Sequence, residues 1–451
     1  MANSYDLIVI GTGSAASTAA YQCREARWRV AVVDHLPFGG TCALRGCLPK
    51  KVLVGAAEAV DHARRMRGKG VAGESTIVWN ELINFKRTFT VPVPQAREKD
   101  FAEAGIDAFH GRAKFRGPRS VAINGDVLDG RFVLLATGAV PMRLGIEGEE
   151  HMITSTEFLE LDQLPKRIVL LGGGYIAAEF SHIAARAGAK VIVLEQMDRM
   201  LTPFDPDLVS WLMEKFREIG VEVKLKTRVT GISKEGNTLV VRATSNGKEQ
   251  SFGTDLVVHA AGRVPDLDSL DLPAADVATE KRRLKLNEFL QSETNPAVYA
   301  AGDAAGKGPP LTPIAGRDGT VAAANMLGGN RERPNYHGVP SVAFTIPPIA
   351  SVGLSEQQAR ERGLHFRVQK ENASDWYAAR RVGEKVYGYK VLIENGSERI
   401  LGAHLVGPHA DEVINVFAVA IRNDLTAHQL EGTVFAYPTG GSDVVYMFGD
   451  N

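Results

Sequence analysis

Cysteine is scarce in this chain, with three in 451 residues. That count excludes a disulfide scaffold, so the fold must rest on its own apolar cores. An excess of charge of either sign is also missing, since 52 Lys and Arg stand against 53 Asp and Glu. Nothing electrostatic therefore points to nucleic acid or to an anionic membrane as a partner. No apolar run approaches the ~18 residues of a membrane span. The first residues pass directly into the apolar strand Leu7-Ile8-Val9-Ile10, with no basic stretch before it and no small-residue cleavage site after it. No secretory signal is read there, and a cytoplasmic location is expected. Asn372-Ala373-Ser374 is then a chance glycosylation match. What remains is a small-molecule ligand and a chain long enough for about two to four domains.

Two of the three cysteines stand in Gly39-Gly40-Thr41-Cys42-Ala43-Leu44-Arg45-Gly46-Cys47-Leu48-Pro49-Lys50-Lys51. In an undistorted α-helix, residues five apart have Cα atoms roughly 8 to 9 Å apart, beyond the ~7 Å that a disulfide can bridge. A Cys42–Cys47 disulfide must therefore bend its helix, and Gly46 gives the backbone the freedom to do so. Strain of that kind makes a disulfide reducible, as a redox catalyst needs. The alternative is a pair of buried, reduced cysteines acting as small apolar residues. Helix-start position and the lysines at 50 and 51 favour the redox reading, because both stabilise a thiolate; a solvated lysine pair is the competing view. Cys23, beside Ala20 and Tyr21 in the first expected helix, is accounted for by packing.

A nucleotide-binding pattern occurs twice. Asp6 to Ile10 is an apolar strand that enters Gly11-Thr12-Gly13-Ser14-Ala15-Ala16 and then a helix, and the next strand, Arg29 to Val33, closes on Asp34. Arg167 to Leu171 enters Gly172-Gly173-Gly174-Tyr175-Ile176-Ala177, and Lys190 to Leu194 closes on Glu195. Glycines permit the tight turn, amides at the helix start hold a pyrophosphate, and the acid reads a ribose hydroxyl. A single glycine motif could be a plain strand-to-helix turn; two copies, each with an acid 23 positions after its first glycine, point to two dinucleotide sites. Phe132 to Ala139, Leu256 to Arg263 and Val298 to Asp303 read as later strands of these units. Beyond about residue 335 the pattern changes to strands (341–344, 390–394, 400–406) and helices (356–361, 411–422), an α+β tail.

Taken with Gly262-Arg263-Val264-Pro265, Ala301-Gly302-Asp303, Leu311-Thr312-Pro313 and Pro347-Pro348-Ile349-Ala350-Ser351-Val352-Gly353-Leu354-Ser355-Glu356, these motifs resemble the flavin-dependent pyridine nucleotide-disulfide oxidoreductases. Glutathione reductase, dihydrolipoamide dehydrogenase and mercuric reductase belong to that group. The resemblance implies an α/β chain with two Rossmann-like dinucleotide-binding domains and a C-terminal α+β dimerisation domain. Its expected boundaries are 1–142 for the first part of the FAD domain, 143–265 for the NAD(P)H domain, 266–337 for a central region completing the FAD domain, and 338–451 for dimerisation. It implies a homodimer with shared active sites and electrons running from NAD(P)H through FAD to the Cys42–Cys47 disulfide. Cys47 would be the thiolate nearer the flavin and Cys42 the thiol that attacks substrate, while Lys50 would pair with Glu179 beside the flavin. FAD would be held by Gly11, Gly13, Ser14, Ala16, Asp34, Gly40, Thr41, Lys51, Ala113, Thr137, Gly138, Asp303 and Thr312. The pyridine nucleotide would be held by Gly172, Gly174, Tyr175, Ile176, Glu195 and Gly262, with Tyr175 covering the pocket until the dinucleotide arrives. Because Glu195 repels a 2'-phosphate, NADH is expected in preference to NADPH, with Arg199 as the residue that could offset it.

The chain departs from the family near its C-terminus. Glutathione reductase and dihydrolipoamide dehydrogenase carry a His-Pro pair followed by a glutamate, and here the matching stretch is Tyr437-Pro438-Thr439-Gly440-Gly441-Ser442. Tyrosine, with an ordinary pKa near ~10, donates a proton but is a poor base at neutral pH. Tyr21 stands where glutathione reductases have a carboxylate-reading arginine, and residues 79–104 contain no tyrosine for their aromatic lid, so glutathione disulfide is disfavoured. Mercuric reductase shares the tyrosine but ends in a cysteine pair, whereas this chain ends Met447-Phe448-Gly449-Asp450-Asn451. The leading expectation is reduction of a small-molecule disulfide or related sulfur substrate, with no resident metal. The alternatives are reduction of mercuric or another thiol-bound metal ion, a quinone or oxygen reductase whose disulfide is not on the substrate path, and a subunit that binds FAD only structurally.

Overall fold

The computed structural model describes residues 3–449, and Asp450 and Asn451 at the end of the terminal stretch lie outside the described residues. The chain divides into two compact units. The first comprises residues 1–50, 85–142 and 263–336, and the second residues 51–84, 143–262 and 337–451.

In the first unit, Asn3–Ile10 lies at the centre of a sheet, parallel to Val30–Asp34 on one side and to Asp126–Leu135 on the other, with Asp107–His110 beyond Val30–Asp34. Leu7 to Val9 and Val30 to Val33 are buried on both faces, as a parallel sheet requires. Besides Asn3–Ile10, the long Asp126–Leu135 strand has two further partners: its first half pairs antiparallel with Ser120–Ile123 and its last three residues pair parallel with Val298–Ala300. The helix Ser14–Glu25 leaves the central strand at Gly13 and packs its buried Ala15, Ala16, Ala19 and Ala20 in one core with Ala322 and Ala323 of the helix Thr312–Gly328. Small side chains let these helices approach closely, and a Cβ added at Gly319 would fall 2.4 Å from Ala15 O.

The second unit contains a four-stranded parallel sheet in the order Glu222–Lys224, Lys190–Leu194, Arg167–Leu171, Leu256–His259. A three-stranded antiparallel meander spans Thr227–Glu235, Thr238–Ser245 and Lys248–Thr254. The α+β tail is a five-stranded antiparallel sheet, with Ile400–Val406 between Ile349–Gly353 and Gly388–Glu394, and with Ser341–Ala343 and Phe366–Asn372 on its edges. The amphipathic helix Ala410–Arg422 covers one face of it, joining Val413, Ile414, Phe417 and Ile421 to a core with Val352, Val391 and Ala403. No helix among the described residues is long and apolar enough to cross a membrane.

Candidate active site

In the first unit the cysteine segment forms a broken helix. Residues Gly40–Arg45 are helical, Gly46 leaves helical geometry at φ −146°, ψ −114°, and a new helix begins at Cys47 and runs to Arg65. Cys47 therefore stands at a helix N-terminus, where amides and dipole favour a thiolate. The Cys47 sulfur lies 3.4 Å from the hydroxyl of Thr312, itself the first residue of a second helix. A hydrogen bond from Cys42 is the largest influence on Cys47; with the Thr312 hydroxyl and the Lys50 ammonium it overcomes burial and brings the thiol down to about 6. The same hydrogen bond, helped by burial, pushes Cys42 strongly upward. The two thiols thus divide into a thiolate at 47 and a proton donor at 42. Thr312, expected at the cofactor, meets the sulfur.

Around this pair lies the first glycine cradle. Gly11, at φ +117°, sits so near the neighbouring strand end that a Cβ would fall 2.2 Å from Ala136 O. Asp34 Oδ2 accepts from the Thr12 hydroxyl at 2.8 Å and Oδ1 from Leu36 N at 3.0 Å, which fixes the acid at the end of its strand. Ser14 opens the first helix and Ala16 is buried in it; Thr41 is exposed, and Ala113 is buried just before the Lys114–Phe115 strand. The cradle has what a flavin dinucleotide needs. Thr137 Oγ1 is buried without a partner among the described residues, and Gly138 faces open space. Asp303, raised by burial against the pull of Arg263, offers a carboxyl.

Three residues of this cradle escape sequence reasoning. Arg45 and Arg263 are both lowered by burial, with Asp34 and Asp303 respectively opposing that shift. Asp318, buried on the Thr312–Gly328 helix, accepts from Gly302 N at 3.2 Å and from the Tyr336 hydroxyl at 3.0 Å, and burial pushes it up to about 6. It holds the Gly302–Asp303 turn from beneath. The one available signal was a charged residue inside a helix otherwise rich in Ala and Gly.

In the second unit, a Cβ at Gly172, at φ +107°, would fall 2.4 Å from Ala260 O, while Gly174 and Gly262 face open space that suits a second dinucleotide. Glu195 is buried; its Oε1 accepts from Met197 N at 2.7 Å and its Oε2 from Gly173 N. Arg199 is occupied elsewhere, donating to Phe204 O and Thr202 O at 2.8 Å each. Tyr175 is half-buried, packs edge-on to Phe204 at 5.3 Å and is hydrogen-bonded to Ser341, with the half-buried Ile176 following. Glu179 is buried on the same helix and accepts from Phe344 N at 2.9 Å. Lys51 lies 3.5 Å from Asp411 and 4.2 Å over the Phe344 ring. Tyr437 is 80% exposed beside a surface pocket shared with Trp376, Arg381 and Tyr446. The Ser442 hydroxyl closes a reciprocal cap with Thr439, accepting from Thr439 N at 3.1 Å and donating to Thr439 O at 2.7 Å. It gives Tyr437 no carboxylate partner.

The profile of the pyridine nucleotide-disulphide oxidoreductases matches residues 5–319, and that of their dimerisation domain matches residues 339–447. The chain belongs to the pyridine nucleotide-disulphide oxidoreductase family. This oxidoreductase is 32% identical to a glutathione reductase of Burkholderia cepacia over 98% of both chains. It is also 32% identical to a mercuric reductase of Staphylococcus aureus over 96% of this chain and 80% of that protein. Its structure is similar to that of a Cu(II) complex of the HOCl-induced flavoprotein disulfide reductase RclA from Escherichia coli, with TM-score 0.88, 28% identity and 99% of both chains covered. The oxidoreductase is accordingly an enzyme acting on a sulfur group with NAD(P), in a family that typically binds FAD. Among the described residues no group of His, Cys, Asp and Glu side chains could hold a metal ion.

Proposed function

We propose that this enzyme is a homodimeric, NADH-preferring flavoprotein that reduces a small-molecule disulfide through Cys42 and Cys47. The observation that carries this reading is the geometry of the pair: Cys42 and Cys47 flank the break at Gly46, and Cys47 stands at a helix start with its sulfur 3.4 Å from the Thr312 hydroxyl, which with the bond from Cys42 holds it low. Bound FAD supplies the route by which an electron pair from NADH reaches the cysteine pair. Once reduced, Cys42 passes its proton to the Cys47 thiolate along their hydrogen bond and, as a thiolate, attacks one sulfur of the substrate to form a mixed disulfide; the displaced thiolate takes that proton from Cys47 and leaves as the first thiol. The Cys47 thiolate then attacks Cys42, which expels the second thiol and restores the Cys42–Cys47 bond. Tyr437, read as facing the partner subunit's thiols, donates a proton to a leaving thiolate, because tyrosine is a donor and not a base at neutral pH. Glu195 favours NADH, supported by its carboxylate tied to the glycine turn and by Arg199 held to its own loop.

A second reading has its own support: the substrate is a metal ion bound by the two thiols. Mercuric reductases are among the relatives, one structural neighbour is a Cu(II) complex, and Tyr437 stands where the disulfide-handling relatives carry histidine. The deciding experiment is NADH oxidation by purified enzyme with a panel of low-molecular-weight disulfides, Hg(II) and Cu(II) thiol adducts, and quinones. Disulfide turnover that vanishes in both Cys42→Ser and Cys47→Ser is expected. Turnover confined to the metal adducts supports the second reading, and quinone turnover that survives Cys42→Ser overturns both.

A further inference from the structure

The helix Tyr175–Arg186 carries Glu179, His182 and Arg186 three and four residues apart, which stacks them along one face. All three are buried, and all three meet one short segment, Phe344 to Ile346. Phe344 N donates to Glu179 Oε1 at 2.9 Å, Ile346 N donates to His182 Nδ1 at 3.1 Å, and Arg186 Nη2 donates to Ile346 O at 3.1 Å. Arg186 Nη1 also lies 3.1 Å from His182 Nδ1. Burial and the neighbouring Arg186 and Lys215 keep the imidazole neutral, so with Nδ1 accepting, its hydrogen sits on Nε2.

The guanidinium is anchored from behind. Arg186 Nη2 and Nε donate to Asp61 Oδ1 at 2.6 and 3.0 Å, and Arg65 Nε donates to Asp61 Oδ2 at 2.7 Å. Lys215, itself buried, lies 3.4 Å from Glu384 and 3.8 Å from Asp61. Charges this deeply buried are costly unless paired, and Arg186 and Lys215 each meet a carboxylate here, which ties the guanidinium that holds Ile346 O to Asp61; His182 Nε2 is buried without a partner among the described residues.

We propose that His182 and Arg186 are positioning residues for Glu179: they staple the Phe344–Ile346 segment to the helix, so that the Phe344 amide holds the Glu179 carboxylate in one orientation. The consequence for turnover rests on the reading of Glu179 as a group that works at the flavin. The His182 acceptor satisfies the buried Ile346 amide two residues from the amide that Glu179 binds, so one short segment is pinned at both places.

The test avoids Arg186, whose loss would take both guanidinium hydrogen bonds from Asp61 Oδ1 and unbalance the buried charges. His182→Leu keeps volume and removes the acceptor, whereas His182→Asn restores an acceptor oxygen near the Nδ1 position. His182→Met serves should Leu disturb the packing against Phe216. Two readouts are taken on the FAD-loaded enzyme: hydrogen exchange of a peptide covering residues 343–347, and the stopped-flow rate of flavin bleaching by NADH. In His182→Leu the peptide is expected to exchange about tenfold faster, and bleaching to slow about tenfold with the NADH concentration dependence unchanged. Asn should restore both, and in a Glu179→Gln background His182→Leu should slow bleaching no further. Unchanged exchange in both apolar variants overturns the proposal, as does unchanged bleaching in them when Glu179→Gln alone slows it. Faster exchange with wild-type bleaching in both His182→Leu and Glu179→Gln upholds the staple and sinks the role of Glu179 at the flavin.

Discussion

An added Cβ would fall 2.2 Å from Ala136 O at Gly11 in the first cradle and 2.4 Å from Ala260 O at Gly172 in the second, so one backbone solution has been used twice. The surroundings differ. In the first cradle Thr12 Oγ1 donates to Asp34 and accepts from Gly39 N at 3.3 Å, and a Cβ at Gly40 would fall 2.5 Å from Gly13 Cα. The cysteine segment is thereby built against the first glycine turn. In the second cradle the Glu195 carboxylate accepts from Gly173 N and Met197 N of its own turn and loop, and among the described residues nothing lies within 4 Å of where a Gly174 Cβ would stand. A walled turn suits a cofactor that stays, and an open one beside a tyrosine suits a dinucleotide that comes and goes.

Breaking the two turns separately gives the largest effects. Gly11→Ala forces a methyl into a backbone carbonyl at a positive φ, at a cost of several kcal/mol (about 3 or more). Because the Asp34 and Cys42 segments are built on that turn, the purified protein is expected to be colourless and less stable. Gly172→Ala meets a similar clash, but the first cradle does not depend on that turn. It should remain yellow while NADH no longer bleaches it, and a colourless Gly172→Ala would show that the cradles are not separable. Flavin absorbance after gel filtration checks both.

A smaller change sharpens the contrast between the two acids. Glu195→Gln keeps an acceptor for Met197 N and removes the charge that disfavours a 2'-phosphate. The ratio of kcat/KM for NADPH to that for NADH should rise about tenfold, equivalent to about 1.4 kcal/mol. No change would mean that Glu195 serves the glycine turn and not the ribose.

Most of the fold was legible because its strands are short apolar runs, largely buried and stopped by a glycine or an acid. Arg167–Leu171, Lys190–Leu194 and Ile400–Val406 begin and end where the pattern does. The meander from Thr227 to Thr254 gave no such signal, since its outer strand Lys248–Thr254 is largely polar and exposed. The placement of the cysteine pair and of the acids at 34 and 195 beside the glycine turns was legible because each lies within a few residues of a turn or at a fixed spacing from it. His182, Arg186 and Asp318 were not. Besides the distant side chains Asp61 and Tyr336, they meet backbone groups, with Ile346 N 164 residues from His182 and Gly302 N 16 from Asp318, and a backbone amide leaves no mark in the sequence that meets it.

The smallest expected effect belongs to the first cradle alone. Thr312 is one of four influences drawing Cys47 down, after Cys42 and ahead of Lys50 and a backbone amide. The folded protein therefore favours the deprotonated sulfur, so alkylation of Cys47 in the NADH-reduced enzyme should rise as pH climbs through about 6 and then level off. Thr312→Val keeps the shape of the side chain and removes one hydroxyl, so the midpoint should move upward by less than about one unit, because the Cys42 bond and the Lys50 charge remain. Cys42→Ala, which deletes the largest influence, should move it further. A Thr312→Val shift as large as that of Cys42→Ala would reverse the ranking and make the start of the Thr312 helix, rather than the companion thiol, the principal stabiliser of the thiolate.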